Sequence, residues 1–98
     1  MNINIERENG KVIIKIEGRL DTTTAPELEK TINGEGDELK SLVLDFKGVD
    51  YISSAGLRVL LSAQKKMNTQ GSMELVGVTE AVMDIFEMTG FADILVIK

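Results

Sequence analysis

Two adjacent hydroxyls and a glycine, Ser53, Ser54 and Gly56, stand in the stretch "DYISSAGLRVLL" at 50–61, where an apolar run gives way to a helical pattern. A serine at a helix start can cap it by accepting a bond from an orphan backbone N–H, or it can act as a nucleophile when a base activates it. One serine is enough for a cap, and a glycine inside the first turn costs about 1 kcal/mol relative to alanine. Gly56 therefore either bares the helix surface beside Ser54 so that a second protein's backbone can approach, or lets this helix pack tightly against the first. Asp21 stands in another loop, where a single aspartate is most simply a turn former or a cap and acquires a binding role only through its neighbours. Asp45 and Asp50 flank the end of the apolar run at 41–46, and converging carboxylates hold hard cations. Strand alternation sends Asp45 to one face while Asp50 falls in the loop, so no metal site is expected.

The composition narrows the chemistry further. The chain contains no His and no Cys, which removes the commonest general base, thiolate chemistry and disulfides. No lysine lies near Ser54 in sequence to activate it, so no catalytic residue is assigned and an enzyme is not expected. The net charge is −5 and only Lys65 and Lys66 form a basic pair, against the clustered cations of a nucleic-acid binder. The stretch "GEGDE" at 34–38 lacks the lysine and the strand-to-helix setting of a phosphate loop, and no cofactor is implied. With a polar start, "MNINIEREN", and no run near the roughly 18 apolar residues of a membrane span, the chain reads as a cytoplasmic protein with no membrane partner. Ninety-eight residues with 43% hydrophobic content suit one domain, 1–98, around a single core.

The elements that must position these residues follow from periodicity. "NINIERENGKVIIKIEG" predicts two alternating strands joined by a tight turn at Asn9-Gly10. Thr24-Ala25-Pro26-Glu27 has the pattern of a capping box with proline in the first turn, and predicts a helix to about Asn33-Gly34. "SLVLDF" at 41–46 is a nearly continuous apolar strand of the kind covered on both faces, and Gly48 to Ser54 reads as a loop. Leu57, Leu60, Leu61 and Met67 have helical spacing from Ser54. "MELVGV" predicts a fourth strand, Thr79 caps a short helix burying Val82, Ile85 and Phe86 before Gly90, and "DILVIK" predicts a fifth strand. The methionines at 67, 73, 83 and 88 read as core filler. The fold class is therefore α/β: a β-hairpin followed by three crossover units, with helices packed against a mostly parallel mixed sheet. Ligands of such sheets gather outside the carboxyl ends of the strands, where the loops holding Asp21 and Ser54 meet.

Three ordered blocks, "GRLDTTTAPELE" at 18–29, "LVLDFKGVDYISSAGLRVLL" at 42–61 and "VTEAVMDIFEMTGFADILVI" at 78–97, resemble the bacterial anti-sigma factor antagonists, the small STAS-domain proteins of partner-switching pathways. The resemblance implies a phosphorylation site at the serine two positions before the Gly-Leu pair, which is Ser54, with Ser53 the second choice. It implies a partner surface over Asp21, Thr22, Ser53, Ser54, Gly56 and Leu57. The partners it implies are an anti-sigma factor serine kinase of the histidine-kinase-like ATPase fold, released on phosphorylation, and a serine phosphatase that resets the switch. Many members carry aspartate where this chain has Ser53. The other outputs such a domain serves are a partner-switching pathway without a sigma factor, and a ligand-sensing or transport-associated subunit in which Ser54 is only a cap.

Overall fold

Asn9 and Gly10 take positive φ values of 47° and 82°, the handedness that matches a two-residue turn to the twist of the strands it joins. In the computed structural model, which describes residues 1–98, this turn links β1 (Asn2–Glu8) to β2 (Lys11–Leu20). The two are antiparallel, with Ile3 opposite Ile16 and Ile5 opposite Ile14. β2 pairs in parallel with β3 (Ser41–Ile52), and β3 with β4 (Ser72–Val76), giving a mixed four-stranded sheet in the order β1-β2-β3-β4. α1 (Ala25–Asn33) joins β2 to β3, α2 (Ser54–Gln70) joins β3 to β4, and α3 (Glu80–Thr89) follows β4. No helix is long and apolar enough to cross a membrane.

Alternation along the strands puts Val12, Ile14 and Ile16 on one face with Leu42, Leu44, Phe46, Met73 and Leu75, all buried. Leu28 and Ile32 of α1, Leu60 and Met67 of α2, and Val82 and Phe86 of α3 belong to the same apolar cluster, so the helices cover that face of the sheet. Burying each such side chain stabilises the fold by about 1.5–3 kcal/mol. Phe46 and Phe86 meet with ring centroids 6.4 Å apart and tilted, an arrangement that suits their quadrupoles.

Several sequence expectations are corrected. The run at 41–46 is not covered by helices on both faces: Val43 is buried but lies outside the helix-covered cluster, on the side it shares with Ile13, Lys15 and Asp45. β3 continues through the expected loop to Ile52, because the ten-residue β2 supplies partners as far as Leu20. β4 stops at Val76, where Gly77 turns to a φ of 68°. The fifth strand shrinks to one parallel bridge between Leu75 and Ile97. After Gly90 the chain enters a short 3₁₀ turn, Phe91–Asp93, and the amides of Asp93, Ile94 and Leu95 bond back to Gly90 and Phe91, leaving few donors for a ladder. The third crossover is thus incomplete. Thr24 makes no side-chain cap, since its hydroxyl donates to the Arg19 carbonyl at 2.7 Å and accepts from the Asp21 amide at 2.8 Å. Met88 is exposed rather than core filler, and Met83 is only partly buried.

Two contacts brace the opposite end of the sheet. Gln70 Nε2 donates to the carbonyls of Gly36 and Leu39. Arg7 of β1 grips Glu35, just past α1, in a two-pronged pair at 3.0 and 2.7 Å. The Arg7 hydrogen bond holds the Glu35 carboxyl below its ordinary range, against the opposing effect of its burial. A carboxylate with a lowered folded pKa contributes stability above its unfolded pKa, and that contribution is lost as pH falls through the folded value. Thermal melts of Glu35→Gln should therefore show a lower Tm than the parent near neutral pH, and the gap should close as pH drops below about 4. A gap that is constant across that range would show that the charge of Glu35 contributes nothing to folding.

Candidate functional site

The carboxyl ends of β2 and β3 meet the start of α2 at one point. The Ser53 amide donates to the Leu20 carbonyl at 2.9 Å, and the Ser53 carbonyl accepts the Leu57 amide at 2.9 Å. Extended φ and ψ at Ser53 (−97°, 177°) then give way to helix at Ser54. Neither serine hydroxyl caps α2. Ser53 Oγ is buried without a partner, whereas Ser54 is exposed in the first position of the helix.

Gly56 answers the choice left by the sequence. It is buried, and a β-carbon there would stand 2.7 Å from Ile52 Cγ1, 2.9 Å from Leu20 Cγ and 3.0 Å from the Leu20 carbonyl oxygen. The missing side chain admits neither a partner nor the first helix; it lets α2 sit directly on the strand ends. Leu57 is likewise placed in the core. Of the six residues expected at a partner surface, Thr22 and Ser54 are exposed, Asp21 and Ser53 are half-buried, and Gly56 and Leu57 support the surface from beneath.

Asp21 organises the neighbouring loop. Its Oδ1 accepts from the Thr23 hydroxyl at 2.8 Å, the Thr23 amide at 3.0 Å and the Thr24 amide at 3.2 Å. These bonds, the Thr23 hydroxyl foremost, hold its carboxyl below the usual carboxylate range. Its second oxygen lies 3.7 Å from Arg19 Nε, and the Arg19 guanidinium stacks 4.3 Å above the centre of the Tyr51 ring. Arg19 and Tyr51 are register partners, as are Leu20 and Ile52, which enter the core. Arg19 and Tyr51 therefore project to the other side, and the rim runs from Ser54 past Asp21 onto the open face of the sheet. Sequence reasoning did not single out this pair, because two register shifts between β2 and β3 bring it together. Asp45 turns to the open face and binds the Lys47 amide at 2.9 Å, while Asp50 is an exposed extra residue in β3. No three metal-ligating side chains converge anywhere in the chain.

The sequence model of the STAS domain matches residues 2–98. The chain belongs to the STAS domain family. The anti-sigma-B factor antagonist of Listeria monocytogenes is 33% identical over 106 residues, covering 100% of this chain and 90% of that protein. An anti-sigma factor antagonist from Mycobacterium paratuberculosis superposes with a TM-score of 0.88 at 25% identity, over 98% of this chain and 83% of that one. The Bacillus cell fate determinant SpoIIAA in its phosphorylated form shares the fold, with a TM-score of 0.76 at 15% identity over 99% of this chain and 91% of its own.

In this STAS domain the seat of α2 depends on the absence of a side chain at position 56. Gly56→Ala forces Leu20 or Ile52 to move, and overpacking of this kind costs about 1–3 kcal/mol, offset by about 1 kcal/mol of improved helix propensity. Urea titration should show a net loss of up to about 2 kcal/mol. A gain in stability would mean that the two side chains relax freely.

Proposed function

We propose that the chain is an anti-sigma factor antagonist, a cytoplasmic binding protein rather than an enzyme, switched by phosphorylation at Ser54. Its unmodified form docks an anti-sigma factor serine kinase of the histidine-kinase-like ATPase fold through the rim formed by Asp21, Thr22 and Ser54, and so frees a sigma factor. The observation that carries this reading is the contrast between the serines: Ser54 is exposed at the start of α2, while the Ser53 hydroxyl is buried. The names of the relatives, anti-sigma factor antagonists of similar length, support the identity of the partner.

The chemistry is a phosphoryl transfer carried out by the partner. Ser54 Oγ attacks the γ-phosphorus of the kinase's ATP; the new Oγ–P bond forms as the bond to the ADP oxygen breaks, and the hydroxyl proton passes to a base on the kinase. The product places about −1.5 to −2 charges on the rim. A bulky dianion in a docked surface cannot be desolvated without large cost, so the complex separates. The free amides and the dipole at the start of α2 tolerate the anion, and the fold is unchanged. A serine phosphatase of the partner-switching type, cleaving the Oγ–P bond with water, restores the binding form.

The test is affinity capture from the native cell with the tagged parent, Ser54→Ala and Ser54→Asp forms, followed by mass spectrometry. Parent and Ser54→Ala should retain a histidine-kinase-like ATPase, and Ser54→Asp should lose it by at least tenfold, equivalent to about 1.4 kcal/mol. Equal capture by all three forms, or capture of no such ATPase, would overturn the reading.

A further inference from the structure

Arg58 lies on the same helix as Ser54, four residues on. Residues with this spacing stand one above the other on a helix surface, and both are exposed, while Gly56, Leu57, Val59 and Leu60 take the buried side. Side-chain bonds of a helix tilt towards its N-terminus, so the Arg58 stem leans over the turn that begins at Ser54. The ion pairs of the chain engage Arg7, Lys15, Arg19 and Lys47 and leave Arg58 free. Along its own helix its neighbours at three and four residues are Ser54, Ala55, Leu61 and Ser62, all uncharged, and the first turn contains no acid. The guanidinium is thus a planar fork of donors with no anion within the chain to receive it.

We infer that Arg58 is the built-in ligand of a phosphate carried by Ser54. Phosphorylation supplies the one anion that α2 lacks, at the spacing Arg58 can reach, and a guanidinium meets phosphate oxygens with two parallel charge-assisted bonds. The modification then acts twice on the same patch. It adds the phosphate charge, and it turns the donors of Arg58 inward, away from any partner lying over Ser54. The phosphate becomes part of the helix surface instead of a freely swinging group.

This inference rests on Ser54 being the modified residue, and its test needs no kinase. Phosphoserine is encoded at position 54 of the full chain, in the parent and in Arg58→Gln, which keeps the length and helix propensity of the side chain. The phosphate is titrated through its phosphorus resonance. An ordinary phosphoserine takes its second charge near pH 6; a nearby cation favours the dianion and lowers that midpoint. At low ionic strength the parent should titrate roughly 0.15–0.4 pH unit below Arg58→Gln, and about 1 M salt should close the gap. The Arg58 Nε–H resonance should also move on phosphorylation. Coincident titration curves in the two proteins would overturn the inference and leave the kinase-docking reading standing, whereas a shifted midpoint without kinase capture would do the reverse.

Discussion

The bond from the Ser53 amide to the Leu20 carbonyl holds three elements at one point, and the geometry of the rim depends on it. A carbonyl at the end of a buried strand needs a donor, and here the donor is the last residue before a helix. α2 must therefore start within hydrogen-bond reach of β2, with no connecting loop to take up slack. That closeness leaves no room for a β-carbon at position 56, fixes Leu57 in the core, and turns Ser54 to solvent. The two serines sit side by side in sequence, yet their surroundings differ because one follows the strand and the other opens the helix.

The polar groups of the rim fall into two kinds. Asp21 Oδ1 is committed to its own loop by bonds from Thr23 and Thr24, which makes the loop stiff and the aspartate a poor candidate for releasing that oxygen to a partner. Arg19 is held differently. It is flattened on Tyr51 and kept near Asp21, so its side-chain freedom is reduced while its donors remain available. Tyrosine and arginine arranged in this way lose little further entropy on association, the property that marks energetic centres of interfaces. In a chain of net charge −5, Arg19 places a cation on the rim, beside the carboxylate of Asp21.

The hairpin, the three helices and the inward face of β2 were legible because each rests on a short-range rule: a turn dipeptide, a cap, or a period of two or 3.6. What was not legible depended on pairing between distant segments. The partner offset between β2 and β3 is 30 residues at Lys15 and Asp45 but 32 at Arg19 and Tyr51, and no local pattern announces the two extra residues in β3. Without them Arg19 would face Val49, and the stacked pair would not exist. The fifth strand failed for a related reason. "DILVIK" has strand propensity, but the amides of Asp93 to Leu95 were already claimed by the turn after Gly90. The cost of Gly56 is visible in the helix pattern, but of the two residues that require it, Ile52 and Leu20, Leu20 lies 36 residues away and cannot be read from the helix alone.

The junction beneath Ser54 does not depend on its serine hydroxyls. The Ser53 hydroxyl makes no bond within the chain, at a junction that has no room for a β-carbon at position 56. The junction holds regardless, because its bonds are made by the backbone: the Ser53 amide to Leu20 and the Leu57 amide to Ser53. The two serine side chains are therefore relieved of structural duty. Ser53 is too enclosed to use that freedom, but Ser54 is not, and chemistry on its oxygen breaks no bond that holds α2 in place. Under the proposed switch, a phosphate on Ser54 would change the charge and shape of the rim and would leave the backbone bonds beneath it intact.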